Sequence, residues 1–211
     1  MREAPIFAVA RHRIGIDGDG VVSLVCFSSC SLGCKYCINP ECFDRKYGRI
    51  YTTRSLYETL LKDQLYFLAT GGGVCFGGGE PLLRSKFITE FRGLCGRGWK
   101  INVETSLNVS ADRVERLIGV VDRWFIDIKD LNADIYKSYT GQSLKPMMNN
   151  LQILAKSGVQ DRCTIRIPLI PRFNTEADRK RSQETLRLMG FTDFDLFEYR
   201  TTPNDIALKQ L

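Results

Sequence analysis

Three cysteines fall within eight residues, at positions 30, 34 and 37 of the string CSLGCKYC. A loop of this CxxxCxxC spacing can fold three thiolates onto one metal centre and has no room for a globular unit between them. Thiolates are the usual ligands of iron–sulfur clusters, normally one on each iron of a 4Fe–4S cluster. A three-thiolate loop would leave one iron without a protein ligand, open to a substrate. The rival is zinc, with Cys26 or Cys42 completing a tetrahedron. Zinc ligands more often arrive as two separated CxxC knuckles, so the spacing favours the open cluster over zinc, and zinc over purely structural or disulfide-bonded cysteines.

Other residues of chemical type stand further along. GGGEP at 77–81 lets backbone approach a ligand closely, because glycine has no Cβ. No Gly-Lys-Ser/Thr follows, so it is not a Walker loop, and a tight strand-to-helix turn is the competing reading. Phe125, Asp127 and Lys129 alternate and therefore share one face of a strand. If that face is interior, the two charges need partners; the alternative puts both just past the strand, in solvent. Arg166 points opposite to Ile165 and Ile167. An interior arginine calls for an anion, either a bound carboxylate or a structural salt bridge.

The elements that must position these residues read as alternating strands and helices. Strands are expected over 21–27, 73–76, 100–104, 123–128, 163–170 and 194–199. Helices are expected over 53–68, 86–95, from 110 past 117, over 146–156 and over 175–189. Asp17 to Gly20 (DGDG) is turn chemistry. Six strands alternating with five helices argue for a parallel α/β sheet. The polar groups gather at strand ends: the cysteines after the first, Glu80 after the second, Glu104, Thr105 and Ser106 after the third, Asp127 and Lys129 at the fourth. Groups converging from several strand ends describe a barrel with its site, and the cluster, on the C-terminal face. A single domain over 1–211 is expected.

At 211 residues the chain can bury a sizeable core, and its 44% hydrophobic and 26% charged content is that of an ordinary globular protein. The net charge of +6 is scattered and accompanies no nucleic-acid motif. No signal peptide or membrane span is read, and the eight cysteines in a chain of this size suit a reducing cytoplasm. Cys26, Cys75, Cys95 and Cys163 read as buried small hydrophobes. Cys42 stands apart, in a Pro-rich loop, as a candidate reactive thiol. His12, the only histidine, reads as a surface residue.

The cysteine loop, with Tyr36 just before the last thiol, resembles the cluster loop of the radical SAM enzymes. Together with GGGVCFGGGEPL at 71–82, WFIDIK at 124–129, PLIPRFN at 168–174, DGDG at 17–20 and Asn39-Pro40, it resembles most closely the activating enzymes of glycyl radical enzymes. The resemblance covers most of the chain. It implies a partial (β/α)6 TIM-like barrel holding one 4Fe–4S cluster on Cys30, Cys34 and Cys37. S-adenosylmethionine would bind the open iron, with Gly78, Gly79 and Glu80 on its ammonium, Asp127, Lys129 and Arg166 on its carboxylate side, and Tyr36 near adenine. A monovalent cation is implied at Glu104, Thr105 and Asp127. The implied reaction is cleavage of S-adenosylmethionine to a 5′-deoxyadenosyl radical, which takes a hydrogen atom from a backbone glycine of a partner enzyme. Flavodoxin or ferredoxin would supply the electron. A radical SAM enzyme acting on a small molecule, of the deazapurine synthase kind, and a non-catalytic zinc module are the alternatives. The chain departs from the family pattern at Val22, Ile38, Glu104, Arg172 and Arg200, where arginine, histidine, aspartate, glycine and a late histidine are usual.

Overall fold

A computed structural model describes residues 1–199, the side chain of Arg45 apart; Arg200 lies outside the described residues. The strands are β1 (Glu3–Ile14), β2 (Val21–Phe27), β3 (Arg49–Thr52), β4 (Gly73–Gly78), β5 (Lys100–Thr105), β6 (Arg123–Asp127), β7 (Cys163–Leu169) and β8 (Asp193–Glu198). They form one sheet in the order β3-β1-β2-β4-β5-β6-β7-β8. From β2 to β8 every pairing is parallel, and β1 runs antiparallel to both β2 and β3. Because β3 and β8 remain at the edges, the sheet curls without closing. This is the expected partial barrel, with an antiparallel pair added on its first edge.

That pair escapes the hydrophobic pattern for a physical reason. Only Ala4 and Ile6 of β1 are buried, and none of β3. An edge strand covers little apolar surface, so its composition carries little period-2 signal.

The helices are α1 (Thr53–Leu61), α2 (Gln64–Thr70), α3 (Ser85–Cys95), α4 (Ala111–Glu115), α5 (Ala133–Thr140), α6 (Lys145–Lys156) and α7 (Glu176–Leu188). The single helix expected over 53–68 is two, broken at Asp63. That carboxylate is buried and turned to the sheet, where it takes hydrogen bonds from Arg11 and from Ser23 Oγ at 3.1 Å. His12, on the surface as expected, reaches Asp63 at 3.0 Å. Helix α5 was not expected at all. Its buried side chains are Tyr136, Tyr139 and Thr140 rather than aliphatics, and Asn132 caps it by accepting from Asp134 and Ile135. Tyrosine carries weak helix propensity, so eight residues of this composition give no clear helical period.

Alternation along the strands sorts the two faces of the sheet. Val25, Phe27, Val74, Phe76, Ile101, Val103, Trp124, Ile126, Ile165 and Ile167 face the helices and make the main core. The other face holds a small apolar cluster, Val22, Cys75 and Phe125 with Leu24, and beyond it charge: Glu104, Asp127 and Arg166. The register places Asp127 beside Arg166 and Arg166 beside Asp195. At the N-terminal end of the lumen the turn 15–20 folds underneath. Asn102 Nδ2 donates to the Asp17 carbonyl at 2.9 Å, and Arg166 Nη2 to the Ile16 carbonyl at 3.2 Å.

Of the cysteines read as apolar, Cys26, Cys75 and Cys163 are buried, while Cys95 is partly exposed. Among the described residues no helix is long and apolar enough to cross a membrane.

Candidate active site

A cavity of about 630 Å3 runs from the cysteine loop down to the turn at Asp17. Its size is that of a small-molecule site. Cys30, Tyr36 and the other two loop thiols, Cys34 and Cys37, line it from one side. Gly78, Gly79 and Glu80 line it from the end of β4, and Glu104, Asp127, Lys129 and Arg166 from the strands beyond. Sequence reasoning therefore named groups that the fold does bring together. Thr105 is the exception: it does not line the cavity. Glu104 and Thr105 are neighbours on one strand and so face opposite sides of the sheet, which parts two of the three residues named for a monovalent cation.

The cysteine loop is held by its backbone. Gly33 N donates to the Thr140 carbonyl at 2.9 Å and Lys35 N to that of Tyr139 at 3.0 Å, so the unforeseen helix α5 carries the loop. Leu32 anchors it in the core. On its other side the Gly-Gly-Glu turn docks directly: Gly79 N donates to Phe27 O and Glu80 N to Ser29 O, each at 2.9 Å. Asn39 Nδ2 donates to the Gly78 carbonyl at 3.0 Å, adding a contact from the far end of the loop. A Cβ on Gly79 would lie 2.1 Å from Ser29 O, so only glycine permits this approach.

Glu80 is buried, yet its carboxylate is fully engaged. One oxygen accepts from Leu82 N and Thr105 Oγ1, the other from Ser106 N and Ser106 Oγ, at 2.7 to 3.1 Å. These fill the roughly four acceptor positions of a carboxylate. Burial raises its pKa, and the four hydrogen bonds pull the other way. Glu80 thus fixes the turn and places negative charge beside the cavity. Ser106, placed by the sequence at the end of the third strand but given no role there, is the partner that the fold supplies.

Lys129 is buried with its ammonium 3.1 Å from Tyr199 Oη and 3.7 Å from Asp127. Burial acts to lower its pKa, but Asp127, Tyr199 and Cys34 outweigh it, and the amine stays protonated well above the ordinary lysine value. Arg166 donates to Glu104 Oε1 at 2.7 Å, lies 3.9 Å from Asp195 and stacks over Phe125 at 4.6 Å. The structural salt bridge that competed with a bound anion is therefore formed. Glu104 is raised by burial, against the pull of Arg166. Asp195, Phe197 and Tyr199 also line the cavity. Asp195 and Phe197 alternate along β8, paired with Arg166 and Pro168 on β7, and Tyr199 follows just past the strand; that alternation was the available signal.

Burial also governs the thiols. It pushes Cys30 up to about 12 and raises Cys34. Cys42, the candidate reactive thiol, is 2% exposed and pushed up to about 11, which makes it a poor nucleophile. Among the described residues no three His, Cys, Asp or Glu side chains are gathered around a single ion. Among the described residues the cysteines that line the cavity are Cys30, Cys34 and Cys37, and Cys42 does not.

The sequence profile of the radical SAM superfamily matches residues 24–181. The chain belongs to the radical SAM superfamily. Membership implies a 4Fe–4S cluster and S-adenosylmethionine, and the residues present fit that pair. Three thiols on one cavity wall, with no fourth cysteine on it, suit a cluster with one open iron. Among radical SAM relatives, the pyruvate formate-lyase-activating enzyme of Clostridium pasteurianum is 29% identical over 88% of this chain and 78% of its own length. The pyruvate formate-lyase 2-activating enzyme of Escherichia coli is 27% identical over 88% and 73%. Among solved structures, Streptococcus suis SuiB bound to S-adenosylmethionine superposes with a TM-score of 0.65 at 13% identity, covering 85% of this chain and 43% of that one. The latter similarity is one of fold.

Proposed function

We propose that this radical SAM enzyme activates a glycyl radical enzyme by removing a hydrogen atom from a backbone glycine of that partner. The observation that carries the reading is the similarity to two activating enzymes along 88% of the chain. The cavity is in keeping with it, because it continues from the thiols past Asp127 to Asp195 and Phe197 on β8, the last described strand of the sheet.

Cys30, Cys34 and Cys37 hold the cluster in this reading. The backbone of Gly78 and Gly79 meets the ammonium of S-adenosylmethionine, with the buried charge of Glu80 behind it. Lys129, protonated and beside Cys34, attends the carboxylate, with Asp127 and the Arg166–Glu104 pair on that side of the cavity; Tyr36 lies near the adenine. Bound together, the cluster and S-adenosylmethionine supply the 5′-deoxyadenosyl radical that takes the hydrogen atom. The walls of the cavity serve to shield the reacting centre from water and to position the incoming glycine. An electron from a flavodoxin or ferredoxin completes the scheme.

The test is anaerobic reconstitution with iron and sulfide, reduction, addition of S-adenosylmethionine and mass spectrometry of 5′-deoxyadenosine against Cys34→Ala. Adding a glycyl radical enzyme labelled with α-deuterated glycine should then transfer deuterium into the product. Cluster-dependent 5′-deoxyadenosine that takes deuterium from no such protein would remove the activase reading. Stoichiometric zinc without a cluster would remove the enzyme reading altogether.

A further inference from the structure

A second cavity, of about 400 Å3, opens on the outer rim of the same C-terminal face, between the turn after β4, the start of α3 and helix α4. Five cationic side chains line it, Arg2, Arg84, Lys86, Arg113 and Arg116, against two acidic ones, Glu3 and Asp112. Asp112 already pairs with Arg116 at 3.2 Å, and Arg2 leans on Glu90 at 3.8 Å. Arg113 donates to the Leu83 carbonyl at 2.5 Å and to Ser110 Oγ at 3.2 Å. Among the described residues neither Arg84, Lys86 nor Arg113 has a carboxylate partner.

Arg84 is the anomaly. Its Nε is buried with no hydrogen-bond partner, whereas buried donors in folded proteins nearly always have one. Burial and then Arg113 push its guanidinium below the ordinary arginine value. Arg84 and Arg113 line one concave space whose nearest carboxylate, Asp112, is already paired with Arg116. The guanidinium fork matches a phosphate bidentately, which the ammonium of lysine cannot do. Helix α3 starts at Ser85, directly after Arg84, and continues the 3-10 turn Pro81–Arg84, so its first amide is already bonded to the Leu82 carbonyl and the charge of the pocket comes from the side chains. The space exceeds what one phosphate fills and lies within the range of small-ligand sites.

We propose that this pocket binds a phosphate monoester, with Arg84 and Arg113 on its phosphate oxygens. The proposal is independent of the glycyl radical reading.

The test is calorimetric titration of the full chain with inorganic phosphate and with glycerol 3-phosphate, at constant ionic strength and with chloride as reference. Saturable binding of the monoester at one site per chain is expected, weakened at least about tenfold in Arg84→Gln and Arg113→Gln. Arg187→Gln, on the remote helix α7, should leave it unchanged. A readout that needs no variant is protection of Arg84 and Arg113 from butanedione, mapped by mass spectrometry. The proposal fails if neither probe binds saturably, if inorganic phosphate binds and the monoester is excluded, or if bound ligand leaves both arginines equally modified.

Discussion

Ser106 meets the Glu80 carboxylate twice, through its backbone amide at 2.9 Å and its hydroxyl at 2.7 Å. This pair of hydrogen bonds joins the Gly-Gly-Glu turn after β4 to the end of β5, so the glycine backbone that faces the cavity is set from a neighbouring strand. Glu80→Gln would place an amide donor against the Ser106 or Thr105 donors. A loss of about 1–3 kcal/mol in stability is expected, read from urea midpoints, because a buried donor is left unpaired. Ser106→Ala should cost less, since the backbone amide bond survives. Equal losses in the two variants would show that the hydroxyl, not the carboxylate geometry, carries the contact.

Gly79 tests how tightly the same turn meets the cysteine loop. Its missing Cβ would sit 2.1 Å from Ser29 O, a backbone atom that cannot step aside. Gly79→Ala should therefore destabilise the fold by about 1–3 kcal/mol, as overpacking does. Gly93→Ala, in the middle of α3 with nothing within 4 Å of its Cβ, should instead stabilise by about 0.5–1 kcal/mol. Thermal or urea unfolding of the two variants side by side checks both signs.

The Arg166–Glu104 pair spans the lumen from β7 to β5, and both side chains are largely buried. Arg166→Met leaves Glu104 without its partner, and a loss of about 3 kcal/mol is expected. The double variant with Glu104→Gln should recover part of it, giving a coupling energy above about 0.5 kcal/mol in a double-mutant cycle. Additive losses would mean that the two groups stand independently.

Acid should attack the far side of the sheet first at Asp63. Hydrogen bonds from Arg11 hold this carboxyl below its ordinary value, with Ser23 and His12 helping and burial opposing. The unfolded chain protonates Asp63 near its ordinary value of about 3.9, while the folded chain resists until lower pH. The stabilisation is therefore complete above the unfolded value and is lost as pH falls through the folded one. Urea midpoints measured below about pH 5 should fall more steeply for the wild type than for Asp63→Asn. Parallel curves would place the acid sensitivity elsewhere.

Residue type and spacing alone were enough to place this chain in the radical SAM superfamily. Three thiols on one short loop, a glycine turn ending in glutamate and an alternating Asp127–Lys129 pair are local facts, and local facts survive without a fold. Five of the six parallel strands, β2 and β4 to β7, were legible for the same reason, since each buries apolar side chains on the helix face, while β8 was legible from its alternation of Phe and Leu with acidic residues. Tertiary structure decided what depends on partners distant in sequence. Asp63 stands at the break between α1 and α2, where Arg11 of β1, 52 residues away, binds its carboxylate. Helix α5 exists to carry the cysteine loop on the carbonyls of Tyr139 and Thr140. Glu104 pairs with Arg166, 62 residues away, and Thr105 turns from it to Glu80. A sequence shows which side chains carry charge; only the packed strands, through register and the alternation of their faces, show which charges meet.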